Sequence, residues 1–149
     1  MTQLAPLTKD EITAMVYDWY EGLDVHRPMV DLIKYIHSTD LEMRFPEATL
    51  RTQAEFEGWF QGVIRIFFDE VHVMQSLDIQ LNDDNSEADV KLVVRWEASR
   101  WKPPAAKSER LLFDAYQTWK IRRCPKSLAP AITLYIVDEL RMLPGGVPL

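Results

Sequence analysis

Three observations predict an α+β domain: three helices packed inside a long, strongly bent, mostly antiparallel sheet. The hydrophobic period stays near 3.6 through most of residues 8–68 and switches to two from Val71 onward. Two capping boxes, Thr8-Lys9-Asp10-Glu11 and Thr52-Gln53-Ala54-Glu55, stand at the heads of the helical stretches. Four long alternating runs then follow one another like successive hairpins. A sheet that long, covered by so few helices, has to curl around them to hide its apolar face. Curling gives a cone-shaped α+β barrel with an open end, and a cone lined by Trp and Phe contains an interior pocket.

The first helix carries Ile12, Met15, Val16, Trp19, Tyr20 and Leu23 on one stripe, and Gly22 weakens its end. Asp24 is a candidate N-cap for a second helix with Pro28 in its first turn and Met29, Leu32, Ile33 and Ile36 as its stripe. Leu41, Met43 and Phe45 alternate with Glu42 and Arg44, a short strand ended by Pro46. The third helix has the bulkiest stripe, from Phe56 through Trp59, Phe60, Val63 and Ile64 to Phe67 and Phe68, which predicts that it lies on the core. Strands are expected over residues 71–81, 90–101, 111–123 and 131–143. Asn82-Asp83-Asp84-Asn85-Ser86 is the turn between the first two of these, and Pro103-Pro104 marks the loop between the next two. No linker or repeat divides the chain, so residues 1–149 read as one domain with its core over about residues 8–143.

Composition narrows the function. A chain of 149 residues buries roughly 70% of its unfolded surface. The net charge of −6 argues against nucleic acid, which needs a surplus of Lys and Arg. No apolar run approaches a membrane span, Met1 to Leu7 lacks the features of an export signal, and Cys124 is the only cysteine, so a cytoplasmic location is expected. No His/Asp/Glu cluster has metal spacing and no Gly-rich phosphate loop is present, so no cofactor is expected.

The order of elements resembles the nuclear transport factor two-like fold in its SnoaL-like branch. The match rests on residues 20–24 (Tyr20-Glu21-Gly22-Leu23-Asp24), on Phe56-Glu57-Gly58-Trp59-Phe60, on Val71-His72-Val73, on residues 87–90 and on Tyr116-Gln117-Thr118-Trp119. Trp19, Phe45 and Gln117 stand where steroid isomerases of this fold would need a Tyr and two Asp, which implies that their chemistry is absent. Asp24 and His72 match the Asp and His paired in scytalone dehydratase-like members, whereas Leu23 and Phe45 stand where that enzyme's tyrosines would be. The resemblance also implies a homodimer through the convex sheet face, on which strict alternation places Val93, Tyr116, Tyr135 and Val137.

Candidate catalytic residues are thus Asp24 and His72, an acid–base pair in which the carboxylate would fix the imidazole tautomer. Each has a bland alternative: Asp24 as a helix cap, His72 as a histidine satisfied by it. Alternation moreover puts His72 on the face opposite Val71, Val73, Leu77 and Ile79, so that only a bulge near Gln75 would turn it inward. Candidate ligand-binding residues are Trp19, Phe45, Phe60, Trp96, Phe113 and Trp119, together with Gln117 and Asp138. Gln117 is the single polar side chain on its apolar strand face, and Asp138 follows Ile132, Leu134 and Ile136. The aromatic residues are core first and ligand cradle second. Lys120, Arg122, Arg123 and Lys126 read as a solvated basic loop, and His26 and His37 as surface residues. Two functions fit: a binding domain for a small apolar or aromatic molecule, or a cofactor-free lyase or isomerase using Asp24 and His72.

Overall fold

The computed structural model describes residues 3–149; Met1 and Thr2, at the head of the segment read for an export signal, lie outside them. Both capping boxes start helices as the spacing predicts. Thr8 accepts from the Glu11 N–H at 3.2 Å and opens α1 (Lys9–Asp24), and Thr52 accepts from the Glu55 N–H at 3.0 Å and opens α3 (Gln53–Ile66). The expected second helix is only one turn, α2 (Met29–Leu32), continued by a 3-10 turn over Ile33–Tyr35. Asp24 does not cap it: it is the last residue of α1, and His26, at φ 52, turns the chain away before α2 begins. Gly22 has a packing role, since a Cβ there would meet the Leu32 side chain at 2.6 Å.

Six strands form one curved, mixed sheet that does not close: β1 (Glu42–Arg44), β2 (Thr49–Leu50), β3 (Phe67–Leu81), β4 (Glu87–Arg100), β5 (Glu109–Arg123) and β6 (Pro130–Met142), in the order β2-β1-β6-β5-β4-β3. All neighbours are antiparallel except β1 and β6. The two-residue β2 is too short to show a period and was not expected. Phe67 and Phe68, expected at the end of the third helix, begin β3 instead and pair with Arg100 and Ser99. Among the described residues, no helix is long and apolar enough to cross a membrane.

Irregularities in β3 and β6 decide which residues face inward. In β3, Asp69 and Glu70 together oppose Ala98, and Gln75 is skipped between the Met74–Val94 and Ser76–Val93 pairs. In β6, Thr133 and Asp138 are skipped in the same way. A side-chain period of two means that each skip reverses the face of everything beyond it. The bulge at Gln75 is the one that His72 needed: His72 and Met74 precede it, Leu77 and Ile79 follow it, and all four face inward. The bulge at Thr133 corrects the expectation for β6. Tyr135 and Val137 point into the molecule, not onto the convex face, so two of the four residues expected to support a dimer are not on that face. β5 is unbroken, and Leu111, Phe113, Ala115, Gln117, Trp119 and Ile121 are buried on its inner side, as alternation predicts.

The core lies where α1 and α3 meet the inner faces of β5 and β6. The Trp119 ring stacks on Tyr135 at 4.8 Å and meets the edge of Trp19 at 6.4 Å, and Phe56 packs on Trp19 at 5.5 Å.

Candidate functional site

Toward the open end the aromatic packing gives way to a cavity of about 460 Å³. Its walls are the inner face of α3, the start of β3, the middle of β4 to β6, and Phe45 to Glu47 after β1. The third helix is therefore split in role: Phe56 and Phe60 are fully buried, whereas Trp59, Val63 and Ile66 line the cavity beside Phe60. Trp59 stacks on Phe45 at 4.0 Å and donates from Nε1 to Glu47 at 2.8 Å, which holds both rings at the rim.

Of the residues singled out from the sequence, Phe45, Phe60, His72, Trp96 and Gln117 line this cavity. Trp19 and Trp119 lie behind it in the core, and Phe113 stacks behind Trp96 at 6.0 Å. Asp138 does not reach it. The slip at Thr133 turns it to the outer surface, where it accepts from the Thr118 hydroxyl at 2.7 Å. Asp24 lines a smaller cavity of about 230 Å³ on the far side of the His72 and Tyr20 rings, with Tyr17, Glu21, Met74 and Val94.

The Asp24–His72 pair is formed. Asp24 Oδ1 lies 2.5 Å from His72 Nδ1, and Oδ2 accepts the His72 backbone N–H at 3.1 Å. A carboxylate only accepts, so the neutral imidazole carries its proton on Nδ1 and presents Nε2 as the basic nitrogen. Among the described residues Nε2 has no hydrogen-bond partner. The His72 ring is steadied on its face by Tyr20, 4.8 Å away.

Gln117 is oriented just as firmly. Trp119 Nε1 can only donate, and it reaches Gln117 Oε1 at 2.9 Å, which leaves the amide NH₂ as the group available to the cavity. Tyr20 and Tyr135 line the same region. Burial pushes the Tyr20 phenol well above its ordinary pKa and Tyr135 to about 12, so both stay neutral near pH 7. The Tyr20 hydroxyl lies near Tyr135 and Gln117 without reaching hydrogen-bond geometry to either. Leu23 and Phe45 line the cavity as apolar residues, and Tyr20 and Tyr135 line it from other positions.

Sequence reasoning missed Glu70. It lines the cavity, is only 8% exposed, and holds His26 Nε2 at 2.8 Å on one oxygen and Trp96 Nε1 at 3.1 Å on the other. The signal was the break of alternation in Phe67-Phe68-Asp69-Glu70-Val71, where two apolar residues are followed by two acids. His37 also departs from expectation: it is buried, and its Nδ1 accepts from the N–H groups of Thr39 and Asp40. The basic residues near the last hairpin are largely paired, Lys120 with Glu87 and Asp89, Arg122 with Asp40, and Arg123 with Glu11. Burial raises the Cys124 thiol, but the Ser38 hydroxyl and nearby backbone N–H groups outweigh it and bring it to about 7. Among the described residues, no three His, Cys, Asp or Glu side chains converge as metal ligands.

No protein-family model matches the chain, and no curated protein is similar to it in sequence. Solved structures do match. A hexachlorocyclohexane dehydrochlorinase, LinA-type3, from Novosphingobium barchaimii superposes with a TM-score of 0.71 at 15% identity, over 95% of this chain and 94% of that one. A candidate scytalone dehydratase from Novosphingobium aromaticivorans gives 0.68 at 16%, over 90% and 83%. A nuclear transport factor 2-like superfamily protein from Salmonella enterica serovar Typhimurium gives 0.69 at 15%, over 92% and 93%. At these identities the likeness is one of fold: the chain has the nuclear transport factor 2-like fold that its sequence resembles.

Proposed function

We propose that the chain is an acid–base lyase or isomerase acting on a small, largely apolar carbonyl compound, with His72 as the base. One observation carries this reading above a purely binding role: Asp24 holds His72 by Nδ1 and by its backbone N–H, so that the unpartnered nitrogen belongs to a ring lining an apolar cavity. Storing an apolar molecule does not require a basic nitrogen held in one tautomer. The names of two fold relatives, a dehydrochlorinase and a candidate dehydratase, are consistent with an elimination.

The step follows from the groups present. His72 Nε2 takes a proton from a carbon next to the substrate carbonyl, and the C–H electron pair moves toward the carbonyl oxygen. The Gln117 NH₂, fixed by Trp119, hydrogen-bonds that oxygen as charge develops on it. Return of the pair either expels a group from the next carbon, which is elimination, or takes the proton back at another carbon, which is isomerisation. Asp24 steadies the imidazolium while it exists.

The test is capture followed by turnover. Native mass spectrometry of the purified protein, exposed to a small-molecule extract of the cells that make it, identifies the occupant. That compound is expected to be consumed by the wild type and to survive with His72→Ala, which still binds it. An occupant that survives with both proteins sinks the enzyme reading in favour of binding alone.

A further inference from the structure

We infer that Glu70 forms a second polar subsite that recognises an O–H or N–H donor on the ligand, so that the molecule taken up is a hydroxylated or amino-substituted ring and not a plain hydrocarbon. The inference rests on the reading of the cavity as a ligand site.

Two turns set Glu70 and its partner in place. Two non-glycine residues with left-handed backbone meet here, Asp69 at φ 53 and His26 at φ 52. Asp69 occupies the β3 bulge that turns Glu70 inward, and Arg110 holds the Asp69 carbonyl at 2.6 Å while also reaching Ser99 Oγ at 3.0 Å. His26 sits in the turn after α1 and is brought back across 44 residues of sequence to meet the carboxylate. Asp and His take this backbone more readily than most residues, and the two turns together bring the His26 ring and the Glu70 carboxylate into one fixed pair at the cavity wall.

The chemistry of the pair sets the ligand class. A carboxylate has about four acceptor positions. Two are used by the fixed donors His26 Nε2–H and Trp96 Nε1–H, one on each oxygen. The remaining capacity can be met only by a donor, and the neighbours Phe67, Ile66 and Trp96 supply no other toward the cavity. Glu70 therefore complements the Gln117 NH₂, which can only offer a proton to an acceptor. Glu70 and His72 are two residues apart on one face of β3, about 7 Å along the strand. A ligand spanning them carries its donor roughly one ring width from the carbon that faces His72.

The test uses two rings of the same shape, 4-methylphenol and 1,4-dimethylbenzene, which differ by one hydroxyl. Their binding is followed by ¹H–¹⁵N spectra of the tryptophan indoles, since Trp96 Nε1–H reports directly on Glu70. The wild type is expected to bind the phenol about tenfold more tightly, with the Trp96 signal moving for the phenol in particular. In Glu70→Leu the ratio should fall to about one. In Glu70→Gln, which keeps the shape and one acceptor oxygen should the leucine variant not fold, the ratio should fall severalfold. Equal binding of the two rings by the wild type overturns the inference and leaves the cavity reading intact. A preference that persists in Glu70→Leu assigns the hydroxyl to another residue and also overturns it. Failure of both rings to bind overturns the cavity reading and this inference with it.

Discussion

The aromatic floor and the polar wall of the cavity are built on opposite principles. The floor rests on β5, whose alternation is unbroken, and joins Trp19, Phe56, Trp119 and Tyr135 by ring contacts of 4.8 to 6.4 Å. The wall rests on β3, which is interrupted twice, and carries two carboxylate–histidine pairs, Asp24–His72 and Glu70–His26. A regular ladder offers only every second residue to the interior. Bringing Glu70 and His72 inward above the bulge and Leu77 and Ile79 inward below it requires the ladder to slip. On β3 the polar groups sit where the ladder slips, and the slips aim them, whereas Gln117 on unbroken β5 is aimed by plain alternation.

Tryptophan truncations should break this comparison if it is wrong. Trp119 is 0% exposed and its removal empties packed volume, so Trp119→Ala should cost about 3–5 kcal/mol in a urea melt. Trp59 belongs to the bulky stripe that predicted a buried helix, but it borders open space, so Trp59→Ala should cost only about 1 kcal/mol and weaken ligand binding instead. Equal losses at the two positions would mean that the rim of the cavity is packed like the floor.

The same difference explains what could be read from the chain. The helix starts at Thr8 and Thr52 and the inner face of β5 were legible because each depends on a few adjacent residues and an unbroken period. Asp24 and His72 were named together, yet through a resemblance, and His72's inward turn depended on a bulge that could be stated only as a condition. Tyr135 and Asp138 were assigned to the wrong faces because the slip at Thr133 leaves no local mark in the sequence. Glu70 was marked only by the broken alternation of residues 67–71, because its partner His26 is contributed by a distant turn. What the sequence hid was the register, and the register places the wall.

Asp24→Asn sharpens the account of the wall itself. Two His72 donors, the backbone N–H and Nδ1–H, each use one oxygen of Asp24. Asparagine has one oxygen and one NH₂. It must either leave one donor unpaired or face its NH₂ to Nδ1, which moves the imidazole proton to Nε2 and removes the base. Long-range ¹H–¹⁵N spectra of the neutral ring should show that change of tautomer, and turnover of the captured compound should fall by about 100-fold with binding little changed. An unchanged tautomer with full turnover would remove Asp24 from the mechanism.

The smallest effect is expected at a polar cluster that belongs to neither region. Asp18 accepts from the Tyr35 hydroxyl at 2.6 Å and from Arg27 at 2.8 Å on the outer side of α1. The Tyr35 hydrogen bond, followed by that of Arg27, holds the Asp18 carboxyl below its usual value. A carboxylate whose pKa is depressed on folding stabilises the folded state fully above its unfolded value, about 3.9, and loses that contribution as pH falls through the lower folded value. Asp18 is partly exposed and screened, so the contribution at pH 7 should be under about 1 kcal/mol. Glu11 and Asp84 are also depressed and destabilise the protein in acid, so the wild-type curve alone cannot isolate Asp18. Subtracting the curve of Asp18→Asn removes their share, because both titrate alike in the two proteins. The remaining difference should be flat from pH 7 down to about 5 and then shrink toward acid. Activity should be untouched throughout, since Asp18 borders neither cavity. A turnover loss in Asp18→Asn comparable to that of Asp24→Asn would show that α1 transmits its outer contacts to the wall, and the separation of the two regions would fail.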